Sequence, residues 1–294
     1  MDKHNHVFTP QQLRELQMKG LEMAVYFRDF CEEHGLTFFF CGGCCIGTLR
    51  HQGFIPWDDD VDVFMPREDY EKLKKLWNRY ADTERYSYQI TDDTHYTKNL
   101  FSTINDNHTA FIKTYQADLD INHGLVLDVL PLDGCPNGKW QRRMQKIWAL
   151  TYSLFCIQQA PTNHGKKVEF VGKAVLALLR GRKLRNRIRN FAERKMTRYP
   201  ISQCEKITEL CSGPGYMKNE YPREAFASAV WKEFEGEKFP IPVGYDAYLT
   251  MAFGDYMQPP PKEKQVIHHD IVFCDLKHSY LDYKGVYYCV SENQ

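Results

Sequence analysis

Hydrophobic residues near the start of the chain recur every three or four positions, the spacing typical of an amphipathic helix. The repeating apolar positions are Leu13, Leu16, Met23, Phe27 and Phe30. Thr9-Pro10 supplies a capping residue followed by proline at the first helical position, and Gly35 ends the pattern. The pattern therefore predicts a helix over residues 10–34.

Shorter apolar runs of strand length follow this helix. Residues 36–41 form one such run, which Gly42-Gly43 interrupts before a helical turn predicted at 44–51. Val61, Val63 and Met65 alternate with Asp60, Asp62 and Phe64 and predict a strand that Pro66 ends. A helix is predicted over 67–80 after it. Further strands are predicted at 86–91, 100–105, 109–115 and 125–130. We therefore predict the α/β (α+β) fold class, with a mixed sheet core in residues 1–138.

The pattern changes after residue 138. Residues 139–220 show long helical periodicities with few strand signals and predict a helical insertion. Within it, the segment from Lys166 to Arg198 holds twelve Lys or Arg against two acidic residues. Residues 221–294 are rich in proline, glycine and aromatic residues, with one helix predicted near 244–253. These residues form the third predicted segment of the chain.

Composition narrows the class of protein. The 294 residues are 43% hydrophobic and 26% charged, which excludes a disordered or fibrous chain. Lys and Arg total 38, as do Asp and Glu, so nucleic acid is not an expected partner. The longest nearly apolar stretch, Ile147 to Ile157, is too short to span a membrane, and the N-terminal residues carry no apolar signal segment. We therefore expect a cytoplasmic protein.

The ten cysteines are scattered from Cys31 to Cys289 and are expected to be free thiols in that compartment. Cys41 and Cys44 form a single CxxC pair, but neither a second pair nor a nearby CxxH completes four zinc ligands. Zinc is therefore not expected at this pair.

Four carboxylates fall within five positions at 58–62. On a strand, side chains two positions apart share a face, so Asp60 and Asp62 are expected to lie close together. Such a pair repels unless a cation lies between its members, and hard oxygen ligands at this spacing suit Mg²⁺. The alternative is an acidic surface turn, which explains Asp58 and Asp59 better than it explains the alternation with valines.

Gly42-Gly43 ends a predicted strand and opens a helical segment, where backbone N–H groups can bind a phosphate. Arg50 and His51 lie between these glycines and the acidic positions, and both are candidates for the same phosphate. The alternatives are a simple turn at the glycines and two ordinary surface residues at 50 and 51.

Asp128 is a single charge inside the apolar run from Leu125 to Leu130. Burial of an unpaired carboxylate costs several kcal/mol, so Asp128 is expected to meet a metal or another cation. The alternative is a structural salt bridge to a buried arginine. Asp133, which precedes a glycine, is expected to be a capping residue in a turn. Asp128 is thus the third candidate carboxylate of a metal-dependent transferase, with Asp60 and Asp62 as the first two.

Several blocks of the sequence resemble the LicD family. The stretch GGCCIGTLRHQGFIPWDDDVD at 42–62 resembles the family signature, and so does its continuation MPREDY at 65–70. The resemblance extends to LDVLPLDG at 127–134 and resumes with short blocks between 234 and 257, whereas 139–220 match only as a helical region of similar length. LicD proteins are phosphocholine transferases, related to the fukutin-type ribitol-phosphate transferases, and have a nucleotidyltransferase fold.

The resemblance implies transfer of phosphocholine from CDP-choline to a sugar hydroxyl, with release of CMP. The acceptor implied is a cell-surface glycan, such as a teichoic acid or lipopolysaccharide precursor. Asp60, Asp62 and Asp128 would be the catalytic residues and the ligands of Mg²⁺ or Mn²⁺. Asp128 would either draw the proton from the attacking hydroxyl or hold the metal that acidifies it. Two alternatives stay open: another CDP-activated alcohol phosphate, carrying ribitol or glycerol, or a non-catalytic binding module on the same fold.

The resemblance also assigns the substrate contacts, and it implies that the C-terminal segment 221–294 completes the active site. Gly42 and Gly43 would be the phosphate-loop glycines, while Cys44 stands where the family usually has Ser or Thr. This departure puts the side-chain contact to phosphate in question but leaves the backbone contacts. A quaternary ammonium favours an aromatic cage, for which the candidates beside family motifs are Trp57, Tyr245 and Tyr256.

The basic segment from Lys166 to Arg198 is expected to form a helical layer with an apolar stripe. The stripe consists of Leu176, Leu179, Leu184, Ile188 and Phe191. A basic amphipathic helix adsorbs to anionic lipid, which suits a peripheral position at the inner face of the membrane. The alternative is that the stripe packs on the rest of the protein and the arginines form a solvated face.

Overall fold

The structure, a computed structural model, describes residues 6–160, 166–267 and 269–290. The chain divides into two compact units. The first consists of Met1–Gln89, Thr103–Val129 and Glu224–Gln294, and the second of Ile90–Ser102 and Leu130–Arg223. The predicted α/β (α+β) class is confirmed, because long helices accompany a mixed set of strands. The three segments inferred from composition, divided at residues 138 and 220, stay a prediction.

The helices agree closely with the apolar periodicity. They are α1 (Pro10–Glu33), α2 (Gly42–Arg50), α3 (Arg67–Tyr80), α4 (Lys139–Ile157), α5 (Lys166–Leu178), α6 (Arg182–Met196) and α7 (Tyr245–Phe253). At the start of α1 the Thr9 hydroxyl accepts the Gln12 N–H at 3.2 Å, and the Gln12 side chain accepts the Thr9 N–H at 2.9 Å. This reciprocal capping box fixes the predicted start of the helix.

The strands match the predictions less closely. They are β1 (Phe39–Phe40), β2 (Asp62–Pro66), β3 (Tyr86–Gln89), β4 (Ser102–Asp106), β5 (Ala110–Lys113), β6 (Leu125–Cys135), β7 (Lys206–Glu209), β8 (Tyr221–Pro222), β9 (Ala229–Phe234), β10 (Glu237–Pro242) and β11 (Ile271–Asp275). The strand predicted over 36–41 contracts to β1, and the one predicted over 60–65 begins only at Asp62. The strands after residue 200 had no clear alternation and were missed.

The first unit contains a sheet with the strand order β1-β2-β6-β4-β3. Strand β1 pairs antiparallel with β2, placing Phe39 opposite Phe64. Because β2 and β6 are neighbours, the acidic positions before β2 and the carboxylate on β6 come to the same part of the sheet. This neighbourhood positions the candidate site.

Two antiparallel strand pairs complete the first unit. Strands β9 and β10 form a hairpin whose two turn residues, Glu235 and Gly236, have φ angles of +54° and +80°. Positive φ at both positions gives the turn that matches the strand twist. Phe239 of this hairpin stacks on Phe40 with ring centroids 4.2 Å apart, next to α2. Strand β11 pairs with β5, so the end of the described chain joins the middle of the sequence.

The second unit is built on the contact between α4 and α6. Its core includes Ala149, Tyr152, Cys156, Ala192 and Met196. Strand β6 continues into this unit as far as Cys135, where it pairs with β7. The expectation that Asp133 caps a turn was therefore wrong: the residue is a strand position, 1% exposed and opposite Thr208. The following Gly134 also belongs to the strand, where it pairs with Ile207, and a Cβ there would lie 2.3 Å from the Tyr199 carbonyl oxygen.

The basic segment forms α5 and α6, and its apolar stripe faces the core only in part: Leu176 is 9% exposed, and Leu179 and Ile188 are half-buried. Leu184 and Phe191 are 44% and 41% exposed. The most buried α6 positions include a cation, Arg189, which donates to the Asp93 carboxylate at 2.8 Å. On α5 the largest exposed apolar side chains are Phe170, Val171 and Leu178, at 73%, 60% and 83%. Packing thus accounts for only part of the segment.

Two further expectations concern the state of the cysteines and the presence of membrane-spanning helices. All ten cysteines are free thiols, as predicted, and eight of them are buried. Among the helices of the described residues, none combines the length and apolar character needed to cross a bilayer.

A buried acid in the second unit gives a testable pH dependence. Glu209 is 3% exposed and accepts a hydrogen bond from the Tyr221 hydroxyl. Burial raises its pKa to about 7, although the hydrogen bond from Tyr221 acts in the opposite direction. Between the ordinary glutamate pKa and 7 the folded state therefore binds more protons than the unfolded state. Stability from this group is present at low pH and lost as the pH rises through about 7.

We expect Glu209→Gln to flatten the pH dependence of unfolding. Across pH 5 to 8 the wild-type protein should lose ~3 kcal/mol of unfolding free energy through this group, and the variant should not. Urea unfolding at several pH values measures the slope, with the exposed Glu205→Gln as the control from the same unit. A Glu209→Gln slope equal to that of wild type would contradict the assignment.

Candidate active site

The start of α2 lies beside the acidic segment. Gly42 has a φ of +49°, a conformation that favours glycine, and its N–H donates to the Tyr248 hydroxyl of α7 at 3.0 Å. At Gly43 a Cβ would lie 2.0 Å from the Asp58 Oδ2 atom, so the absent side chain leaves room for this carboxylate. The two glycines predicted to bind phosphate therefore have distinct local reasons to be glycine.

The acidic segment is not a surface turn. Asp58 and Asp59 are only 8% and 4% exposed, which excludes the alternative that explained them as solvated. The Gln17 amide donates to the Asp58 carbonyl oxygen at 3.0 Å, and the Cys44 thiol donates to the Asp60 carbonyl oxygen at 3.9 Å. Because side chains hold this backbone, the regular strand starts later than its alternation predicted. Asp62 is the first residue of β2, whereas Asp60 lies in the anchored segment before the strand. The two residues therefore do not share one face of a regular strand, as the alternation had predicted.

Cys44 lies where the family usually has a hydroxyl residue. Its side chain is buried, and burial together with the charges of Asp58 and Asp62 raises the pKa of the thiol well above its usual range. The thiol therefore stays neutral and supports the backbone of the acidic segment. The N–H groups in the first turn of α2 point toward the N-terminal end of the helix, as the helix geometry requires.

The carboxylates repel each other. Burial raises the pKa of Asp62 well above its usual range, and the charges of Asp60, Asp128 and Asp58 raise it further. Burial is also the largest cause of the raised pKa of Asp60, which the nearby His269 opposes. The pKa of Asp58 is raised in the same way, first by burial and then by its acidic neighbours. A cation bound among these groups would relieve the repulsion.

Asp128 lies directly beside this segment on β6. Its N–H donates to the Val61 carbonyl oxygen at 2.9 Å. The Lys113 Nζ atom on β5 is 3.9 Å from the Asp128 Oδ2 atom, and both residues are buried. Burial lowers the pKa of Lys113, but Asp128 and the other charges outweigh that effect and raise it. The cation that meets Asp128 is thus a lysine, where the sequence had offered an arginine as the alternative.

Two carboxylate oxygens of the cluster have no hydrogen-bond partner. They are Asp59 Oδ1 and Asp128 Oδ1, both buried within the part of the chain that the structure describes. Buried oxygens of this kind are the ligands that Mg²⁺ and Mn²⁺ use. Among the described residues, the three acidic or histidine side chains whose ligand atoms lie within 4.8 Å of one another are Asp59, Asp60 and His269, whereas Asp60, Asp62 and Asp128 do not form a group of that kind. The donor set therefore fits a divalent cation.

Comparison with known proteins gives the family. A family model described as LicD/FKTN/FKRP, nucleotidyltransferase domain, matches residues 35–128. The chain is also 32% identical over 269 residues to the lipopolysaccharide cholinephosphotransferase LicD of Haemophilus influenzae, covering 87% of this chain and 96% of that protein. The chain belongs to the LicD family. The predicted enzyme class is confirmed with it: this LicD-family chain is a phosphotransferase.

The structure also places the other candidate residues of this LicD-family protein. Arg50 donates to the Tyr256 carbonyl oxygen at 2.9 Å, which joins the end of α2 to the segment after α7. His51 is largely exposed. Its pKa is lowered, mainly by the burial of part of its ring and to a lesser extent by the charge of Arg50. Trp57 and Tyr245 are half-buried, and so is Tyr256, whose hydroxyl donates to Asp246 at 2.9 Å. Tyr248 is buried, and its hydroxyl accepts the Gly42 N–H, so it has a structural role.

Sequence reasoning missed three side chains of this LicD-family site. The sequence favours a solvated turn for Asp59, and Lys113 lies inside the strand predicted at 109–115 without any nearby motif. His269 lies outside the residues matched by the family model and far from the acidic segment in sequence. The unbroken run of carboxylates at 58–60 was the one available signal for Asp59, and it does not distinguish a solvated turn from a buried cluster that needs a counter-charge.

Proposed function

We propose that this protein transfers phosphocholine from CDP-choline to a sugar hydroxyl of a cell-surface glycan precursor, with release of CMP. The relative from H. influenzae is named a lipopolysaccharide cholinephosphotransferase, and the match covers 96% of its length. The single observation that carries the proposal is the cluster of repelling carboxylates beside the first turn of α2. Such a cluster suits a reaction on a diphosphate held by a cation.

The ligands proposed for Mg²⁺ or Mn²⁺ are Asp60, Asp62 and Asp128. When bound, the cation would neutralise the negative charge of the diphosphate and of the departing CMP. The unpartnered Asp128 Oδ1 atom supports this assignment, because a buried carboxylate oxygen without a partner is costly. Lys113 supplies part of the compensating charge from the other side of Asp128.

The residues around the cluster can bind the donor and move one proton. In the transfer, the acceptor oxygen forms a bond to the phosphorus that carries choline, and the bond from that phosphorus to the CMP oxygen breaks. The electron pair leaves with CMP, and the hydroxyl proton passes to Asp128. The first-turn N–H groups of Gly43 and Cys44 are suited to phosphate oxygens. Arg50, held by the Tyr256 carbonyl, adds a fixed positive charge nearby.

Choline recognition is assigned to half-buried aromatic rings of the first unit. The candidates are Trp57, Tyr245 and Tyr256. A quaternary ammonium cannot donate a hydrogen bond and is attracted to the faces of aromatic rings. Because Tyr256 is tied to Arg50 through its carbonyl, its ring is linked to the residue proposed to contact the phosphate.

A donor screen tests the proposed function. Purified protein is supplied with Mg²⁺ or Mn²⁺ and with CDP-choline, CDP-ribitol or CDP-glycerol, in the presence of choline-free lipopolysaccharide, and CMP release is measured. CMP release and phosphocholine incorporation with CDP-choline alone are expected, and Asp60→Ala is the inactive control. Turnover confined to CDP-ribitol or CDP-glycerol would keep the reaction type and replace the donor. Lack of turnover with every donor would contradict the proposal.

We also propose that α5 and the start of α6 contact an anionic membrane surface. Exposed Phe170, Val171 and Leu178 lie on the same helix as the exposed cation Lys173, and further exposed Lys and Arg follow at 180–187. Apolar side chains of this kind insert at the headgroup boundary, while each Lys or Arg near the surface contributes ~1 kcal/mol.

Liposome co-sedimentation is expected to show binding to anionic vesicles and not to neutral ones. Binding should weaken as salt increases, because screening reduces the attraction between the cations and the lipid. Replacing Phe170 and Leu178 by serine should abolish it, whereas Trp140→Ser, which changes an equally exposed ring on α4, should not. Equal failure to bind both vesicles at low salt would contradict the membrane contact.

A further inference from the structure

The observation is a histidine placed against two of the acidic residues. The His269 Nδ1 atom lies 3.1 Å from Asp59 Oδ2 and 3.9 Å from Asp60 Oδ2. One ligand atom from each of the three residues can be chosen so that all lie within 4.8 Å of one another. Separations of this size are compatible with a single cation between the three, since metal–ligand distances are about 2.0–2.2 Å.

The fold holds His269 in this place through β11. Ile271 of β11 pairs with Lys113 of β5, and the Thr114 N–H donates to the Asp270 carbonyl oxygen at 2.9 Å. The strand that carries Lys113 to Asp128 therefore also fixes the backbone next to His269. The pairing of β11 with β5 therefore positions the His269 backbone next to the strand that carries Lys113.

Asp59 provides the second, independent observation. Its side chain has 0% exposure, and its Oδ1 atom has no hydrogen-bond partner among the described residues. A hydrogen bond from His269 satisfies only the other oxygen. A simple structural Asp–His pair would leave this Oδ1 atom unsatisfied, whereas a cation bound by the carboxylate would satisfy it.

We infer that His269 is a nitrogen ligand, together with Asp59 and Asp60, of a divalent cation at this site, and that it gives the site a preference for Mn²⁺ over Mg²⁺. Imidazole favours transition-series ions, whereas carboxylates alone suit Mg²⁺ and Ca²⁺. This inference rests on the proposed function only in that it concerns the same carboxylate cluster. It adds His269 and Asp59 to the ligands and predicts which ion is bound.

The test is Mn²⁺ binding by the full chain, without any substrate. Electron spin-echo envelope modulation of the bound Mn²⁺ detects a coordinated nitrogen directly. Wild type should show nitrogen coupling, and His269→Ala should lose it while its Mn²⁺ affinity falls by about tenfold or more. Isothermal titration calorimetry should show that the same variant loses less of its affinity for Mg²⁺ than of its affinity for Mn²⁺. The control is His278→Ala, because His278 also pairs with an aspartate, Asp275, at 2.9 Å but is exposed.

The outcomes separate this inference from the proposed function. Nitrogen coupling in wild type and in His278→Ala, but not in His269→Ala, supports it. Bound Mn²⁺ without nitrogen coupling in wild type overturns it, and that result needs no variant to fold. Coupling or Mn²⁺ affinity that is unchanged in a folded His269→Ala protein overturns it as well. Failure of CMP release in wild type, with the nitrogen coupling present, would instead count against the proposed function.

Discussion

Asp62→Asn is expected to abolish phosphocholine transfer without loss of folding stability. The pKa of Asp62 is raised by burial and then by Asp60, Asp128 and Asp58, so its ionised form is unfavourable in the metal-free fold. Asparagine has nearly the same shape and removes that repulsion. If the carboxylate holds a cation worth several kcal/mol to the transition state, turnover should fall by roughly a thousandfold or more.

Melting temperatures with and without divalent cation make this prediction specific. In EDTA, Asp62→Asn should melt at or above the temperature of wild type. When Mg²⁺ or Mn²⁺ is added, the melting temperature of wild type should rise more than that of the variant, because ligand binding stabilises the folded state. Asp282→Asn, at an exposed position of the same unit, should leave both turnover and melting unchanged. A stable Asp62→Asn protein with near-normal turnover would remove Asp62 from the ligand set.

Lys113→Met is expected to destabilise the metal-free protein by ~3–5 kcal/mol, the usual cost of removing one partner of a buried ion pair. Lys113 is 5% exposed, and its Nζ atom lies 3.9 Å from Asp128 Oδ2. Methionine fills a similar volume but leaves Asp128 with neither a cation nor a partner for its Oδ1 atom. Urea unfolding in EDTA measures the loss.

Divalent cation should restore part of the stability of Lys113→Met, since it can replace the missing charge. The matched control is Lys284→Met, which breaks the exposed pair with Asp120, whose nitrogen and oxygen lie 2.6 Å apart. An exposed pair contributes ~0–1 kcal/mol, so this variant should unfold nearly as wild type does. A loss of similar size in both variants would show that Lys113 does not compensate a buried charge.

The sequence predicted the helices well because their signals are local. A capping residue and regular apolar spacing determined α1, and an amphipathic pattern determined α3. The strands after residue 200 had no comparable signal. In β10, two prolines interrupt the alternation, and its partner β9 exposes most of its residues. Such a strand is defined by its hairpin turn and by contacts such as that of Phe239 with Phe40, which depend on the completed fold.

The site shows the same division between local and long-range information. Asp60, Asp62 and Asp128 were recognisable because a carboxylate within an apolar run is costly to bury unless a cation compensates its charge. Lys113 ends a short strand and carries no motif, so only the pairing of strands shows that it faces Asp128. His269 and Asp59 are 210 positions apart in sequence, and a pattern read along the chain cannot join them. Asp59 was misassigned because solvated acidic turns and buried acidic ligands look alike in a single sequence.

Strand β5 also has a consequence for the time course of protein synthesis. In the described residues its strand partner is β11, which the ribosome makes about 160 residues later. At roughly 5–20 residues per second, that interval lasts on the order of 8 to 30 s. Meanwhile the Ala110–Lys113 edge, all four residues of which are buried in the finished fold, has no strand to cover it. An uncovered apolar edge invites pairing with other chains. The Ala110–Lys113 edge of the nascent chain is therefore open to pairing with other chains until β11 emerges.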